Sequence, residues 1–215
     1  MMRGPSLAAQ LERAFPGIAS IRQPSLRKLV ADLWQYVADV NPQWLEIEAI
    51  PLFPSLPIET YGNLANHIRA MARVAETVVP VYAELWSIEL SLDDFLAAVY
   101  VHDAAKVIEF VKKDGELAAI PGFNHALEAG RIVRDLGGPE AIAHMVECHS
   151  FAGALTMPRT RAAQLFLFLD PLCLPVFPEQ GKGAVERHLD SNGWQDPRTK
   201  EKYRSPLETS ARQRR

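Results

Sequence analysis

Six imidazole and carboxylate positions carry most of the chemistry this sequence can offer: His67, His102, Asp103, His125, His149 and Asp170, with Lys106 close to the central pair. His102 and Asp103 are adjacent inside an apolar run, VYVHDAAKVIEF at 99–110. Burying two such groups without partners costs about 1–3 kcal/mol each. The run therefore implies partners elsewhere in the chain, or a bound ion. The separations are 35 residues from His67 to His102, 23 on to His125, 24 on to His149 and 21 on to Asp170. Neighbouring antiparallel helices of that length can each bring one residue to a common centre. Imidazole and carboxylate together suit one or two divalent transition metal ions (Fe, Mn, Ni, Co or Zn) better than Ca or Mg alone. A carboxylate has two oxygens and can bridge two metals, so Asp103 is the natural bridge, with His102 beside it on one ion.

The elements that must position these residues read as helices. Residues 25–40 place Leu26, Leu29, Val30, Leu33, Val37 and Val40 on one face. The connection 41–60 contains Pro51, Pro54 and Pro57, which forbid a continuous helix and predict an ordered, extended link. A helix is expected over about 62–85, kinked or ended early by Pro80. Another begins at Ser91, with Asp94 at capping-box spacing, and runs through 113, placing Phe95, Val99, His102 and Lys106 on one side. Asp114-Gly115 ends or follows it. A helix from about 123 stops at Gly137-Gly138. Pro139 opens the next, which carries His144 and His149, and Pro158 precedes the one that ends at Asp170. The reading is a single all-α domain: an N-terminal helical and Pro-rich extension over 1–60, a metal-binding bundle over 61–175 and a polar C-terminal extension over 176–215.

Composition narrows the classes. The 215 residues suffice for one full core. A 48% hydrophobic and 23% charged chain of net charge −3 lacks the basic footprint of a nucleic-acid binder. No apolar stretch has the length of a membrane span, and no signal-peptide core is visible, so a cytoplasmic location is expected. Cys148 and Cys173 make no disulfide framework. A homodimer is left open.

The ordered series His67, His102-Asp103, His125, His149, Asp170 resembles the HD-domain superfamily of metal-dependent phosphohydrolases, over roughly 60–172. The resemblance implies a helical bundle with its metal site between helices. It implies His67, His102, Asp103 and Asp170 as the basic ligand set, with His125 and His149 as the extra ligands of two-metal members. Those members include the HD-GYP cyclic-dinucleotide phosphodiesterases and the oxygenases related to myo-inositol oxygenase, in which the pair is followed by x-x-Lys, as in HDAAK here. Lys106 then reads as a contact for a substrate phosphate or carboxylate; the ordinary alternative is a salt bridge with Glu109 or another acid. The Gly-Tyr-Pro signature and the paired His-His of the cyclic-dinucleotide enzymes are missing, and the HD-x-x-Glu of the small 5′-nucleotidase branch is not matched. His144 competes with His149, but five residues on a helix turn them about 140° apart, and the resemblance favours His149. His188, in the polar tail, reads as surface.

The leading expectation is hydrolysis of a small phosphate ester or nucleotide-like substrate by a metal-activated water, with Asp103 and Lys106 as catalytic residues. Tyr61 and Glu59, just ahead of the first ligand helix, are placed at the entrance, Tyr61 as a second substrate contact. The alternative is a di-iron oxygenase acting with O₂ on a small anionic substrate. A third reading is a non-catalytic, metal-containing binding module.

Overall fold

A computed structural model describes residues 6–42, 46–54, 58–113, 116–150 and 156–175. Most of the loop 151–158, the polar extension from 176 onward and His188 lie outside them. Within these residues the protein is a helical bundle with one small hairpin. No helix among them is long and apolar enough to cross a membrane.

The helix α5, Leu92–Val101, lies at the centre. Ser91 caps it, accepting the Asp94 N–H at 3.2 Å. From Phe95 to Val101 every residue is buried. A helix apolar on all sides belongs inside a protein, and α5 packs against α2 (Pro24–Val40), α4 (Leu64–Trp86) and α8 (Glu140–Cys148). Trp34 of α2 locks the first of these contacts, its indole N–H donating to the buried Tyr100 carbonyl at 2.8 Å. The helices α7 (His125–Asp135) and α9 (Arg161–Leu172) pack on either side of α8, and α9 also reaches α4. A short α1, Leu7–Ala14, capped by Ser6, packs on α2.

Three sequence expectations meet a different outcome. Pro80 does not end α4, which continues to Trp86 and closes at Ser87 in the left-handed region, φ 49°. Pro80 lies on the exposed side, where water can satisfy the carbonyl that loses its N–H partner. The helix expected from Ser91 through 113 stops at Val101. Residues 102–105 form tight turns with three-residue hydrogen bonds, such as Lys106 N–H to the Asp103 carbonyl at 3.0 Å. One helical turn follows, α6 at Lys106–Glu109. The chain then enters an antiparallel hairpin, β1 (Phe110–Lys113) with β2 (Glu116–Ala119), where Phe110 pairs with Ala119 and Lys113 with Glu116. Asp114-Gly115, between the strands, is the residue pair that favours a two-residue hairpin connection; its own placement lies outside the described residues. The Pro-rich connection folds as a 3₁₀ turn at Ile47–Ala49, a bridge from Pro51 to Asn63 and the single-turn α3, Ile58–Tyr61.

One polar contact joins distant parts of the chain. Asp93, buried, accepts the backbone N–H groups of Arg22 and Gln23 at 3.1 and 3.0 Å, and so ties the segment entering α2 to the start of α5. Burial pushes its carboxyl up, but the two N–H groups and the Arg22 guanidinium outweigh that and hold it below the usual range. Asp93→Ala is expected to cost about 1–3 kcal/mol in urea unfolding at pH 7. Because the folded-state pKa is depressed, the wild-type advantage is present above about pH 4 and fades as pH falls through the lowered value. A gap that stayed constant into acid would contradict this account.

Candidate metal centre

The residues singled out by type and spacing converge at helix ends. His67 lies in the second turn of α4, behind the Asn63 cap. His102 and His149 are the C-terminal cap residues of α5 and α8. His125 is the first residue of α7, whose Asn124 cap accepts the Leu127 N–H at 3.1 Å. Asp170 lies near the end of α9.

His67 Nε2 is 3.2 Å from His102 Nε2 and 3.0 Å from Asp170 Oδ1, and His102 Nε2 is 3.8 Å from that oxygen. The Asp103 Oδ2 atom stands 3.7 Å from His67 Nε2 and 3.4 Å from His102 Nε2. Its other oxygen, Oδ1, faces His125 Nε2 at 3.3 Å and His149 Nε2 at 3.4 Å. The two carboxylate oxygens thus face different pairs of imidazoles.

The second ring nitrogens set the direction of the first. His67 Nδ1 lies 3.3 Å from the Cys173 carbonyl, His102 Nδ1 2.7 Å from that of Val99, and His149 Nδ1 2.6 Å from that of Val146. A carbonyl only accepts, so these contacts assign the proton to Nδ1 and leave the Nε2 lone pairs facing inward. Lone pairs 3.2 Å apart repel unless a cation or proton lies between them. With bonds of about 2.1 Å, donors around one ion sit about 3.0–3.4 Å apart, the edges of an octahedron or tetrahedron. The separations here run from 3.0 to 3.8 Å. Two groups, His67-His102-Asp170 and His102-Asp103-His149, have ligand atoms all within 4.8 Å of one another. Asp103 Oδ1 is buried and has no hydrogen-bond partner of proper geometry, which in a protein interior calls for a ligand. The donor set fits divalent transition ions.

The electrostatics agree. Burial would raise Asp103, but the Lys106 ammonium, then His102 and His125, hold its carboxyl well below the usual range. Burial likewise opposes ionisation of Asp170, and His67 beside it more than compensates. Burial lowers His67 and His125, yet their carboxylate partners, Asp170 and Asp103 respectively, leave both raised. For His149 burial prevails and the ring is lowered.

Lys106 Nζ pairs with Asp103 Oδ2 at 2.8 Å and lies 5.8 Å from the centre of the Phe53 ring, from the Pro-rich connection. Its partner is therefore Asp103 and not Glu109. The contact arises from the turn at 102–105 and not from a continuous helix. Glu109, given no role at the site by the sequence reading, sets its Oε2 2.8 Å from His125 Nδ1. No local signal could have found it, because the pair joins the end of α6 to the start of α7. His144 faces elsewhere: its Nε2 accepts the Arg159 N–H at 2.9 Å and its Nδ1 lies 3.6 Å from the Cys148 thiol. On α3, ahead of the His67 helix, Tyr61 is partly buried and Glu59 is exposed.

A helical bundle with imidazoles and carboxylates gathered on a central His-Asp pair is the architecture of a metal-dependent hydrolase superfamily. The family model described as the HD domain matches residues 64–172, half of the chain, and the protein belongs to the HD-domain family. No curated protein and no solved structure matches it.

Proposed function

We propose that this protein is a metal-dependent phosphohydrolase acting on a small phosphate ester or nucleotide-like substrate. The observation that supports the reading most is the division of Asp103: Oδ2 faces His67 and His102, while the buried, unpaired Oδ1 faces His125 and His149. Divalent ions held by these residues and Asp170 would supply a water of lowered pKa, from 15.7 towards about 7, and Lewis acidity for a phosphoryl oxygen.

The chain's own groups do the rest. The innermost side chains, His67, His102, Asp103 and His149, are at most 2% exposed, so bulk water is kept from that side. His125 at 18%, Asp170 at 17% and Lys106 at 12% form the side open to substrate. Asp103, whose carboxyl is held well below the usual range, would serve as a ligand through its two oxygens and orient the attacking water. Lys106 turns its ammonium to the anionic group of the substrate, beside Phe53, with Tyr61 as a further contact.

The oxygenase reading keeps a specific observation in its favour, the four-imidazole donor set with Lys106 poised beside the bridge. Metal content, hydrolysis and O₂ consumption together separate the two. The full chain, purified anaerobically without chelators, is expected to carry Mn, Co, Ni, Zn or Fe and to release p-nitrophenol from bis-p-nitrophenyl phosphate without consuming O₂. Two irons per chain and no hydrolysis would move the assignment to the oxygenase. No metal, even after reconstitution, would overturn both.

A further inference from the structure

We propose that Glu109 is a positioning residue for His125, and through it governs the ion that Asp103 Oδ1, His125 and His149 would share. The inference rests on the metal-site reading above and deepens it.

The physical case lies in where each histidine sits on its helix. His102 and His149 are C-terminal caps, and each turns Nδ1 to the carbonyl three residues back, Val99 and Val146. A helix C-terminus leaves such carbonyls unpaired, so the fold supplies these acceptors automatically. His67 finds the Cys173 carbonyl, just past α9. His125 is the first residue of α7, and a helix N-terminus offers N–H donors and no carbonyls. Its Nδ1 must find a partner on another element, and the Glu109 carboxylate approaches it, Oε2 at 2.8 Å as an ion pair. Glu109 Oε2 is buried and, like Asp103 Oδ1, makes no hydrogen bond of regular geometry, so its close partner among the described residues is His125, as an ion pair.

Glu109 is itself held from three directions. Its N–H donates to the Ala105 carbonyl at 3.0 Å, and its own carbonyl accepts the Ile120 N–H at 2.9 Å, closing the root of the hairpin. From the end of α2, the Asn41 amide donates to the carbonyls of Val107 at 2.7 Å and Phe110 at 3.4 Å, on either side. A carboxylate behind an imidazole fixes ring and tautomer and makes the far nitrogen a stronger donor. Losing such a partner typically costs 10–100-fold in metal affinity. His125 is also the most exposed imidazole of the cluster, so packing alone restrains it least.

The test is an anaerobic Co²⁺ titration of the chelator-stripped full chain, followed by calorimetry and by the visible d–d absorption. Wild type is expected to take two ions. Glu109→Ala should keep one with unchanged affinity and weaken the other by about 10–100-fold. Glu109→Gln should fall between, since its amide oxygen still accepts from Nδ1 but carries no charge. His125→Ala should lose the same ion, and adding Glu109→Ala to it should change nothing further. Two wild-type affinities in Glu109→Ala, equal weakening of both ions, or a further loss in the double variant would each overturn the inference. A wild type that takes one ion, indifferent to His125→Ala, overturns it too and leaves a single site at His67, His102 and Asp170. A wild type that takes none fails the metal-site reading itself.

Discussion

Asp103→Ala is expected to lower metal affinity by more than about 100-fold and turnover of bis-p-nitrophenyl phosphate by at least about 10³-fold. The reason is geometric. Both oxygens of this one carboxylate are committed, Oδ2 at 3.4 Å from His102 Nε2 and Oδ1 at 3.3 Å from His125 Nε2, so no other residue can replace it as the link. The loss must be separated from unfolding, because Asp103 also neutralises the partly buried Lys106. Thermal unfolding does this. Metal that binds only the folded chain adds about 2.7 kcal/mol at a hundred times its Kd. Wild type should show a midpoint raised by metal and lowered again by chelator. Asp103→Ala should show a midpoint that metal does not move, and Asp103→Asn, which keeps the shape, should behave like it. A variant that still gained stability from metal would show that Asp103 is not a ligand.

Lys106→Met is expected to act in opposite directions on the two partners of the site. The Lys106 ammonium is the cation paired with Asp103 Oδ2. An ion bound to the same carboxylate repels it by about 4 kcal/mol per unit charge at 4 Å and an effective dielectric of 20. Removing the ammonium should therefore leave metal affinity equal or higher. Turnover should fall all the same, because an anionic substrate is what reconciles Lys106 with the metal. Loss of one positioned donor to a transferring group costs about 10²–10³-fold, read here in kcat/KM on the same ester, with KM rising. Unchanged kcat/KM would reduce Lys106 to a counter-charge for Asp103.

Much of the bundle was legible because its helices obey local rules. The apolar face of 25–40, the Ser91 cap and a helix beginning near 123 follow from periodicity and from side chains that satisfy the first turn. The segment 102–119 was not legible in this way. The spacing of its apolar positions also fits a continuing helix, so Asp114-Gly115 was the one local cue to the pairing of Phe110–Lys113 with Glu116–Ala119. The bonds from Arg22 and Gln23 to Asp93 were equally hidden, since the partners lie some 70 residues apart and leave no trace in local pattern.

By itself the sequence determined the donor types, their order and their distribution over separate helices, which sufficed to point to a metal centre of the HD kind. Which atoms meet there was decided only by the tertiary structure. Lys106 pairs with Asp103, and Glu109 lies behind His125. The reason is that a residue at a helix end takes its direction from what packs beside that end. A C-terminal cap finds its acceptor in its own helix, whereas a residue at an N-terminus must borrow one from a segment that only folding brings near.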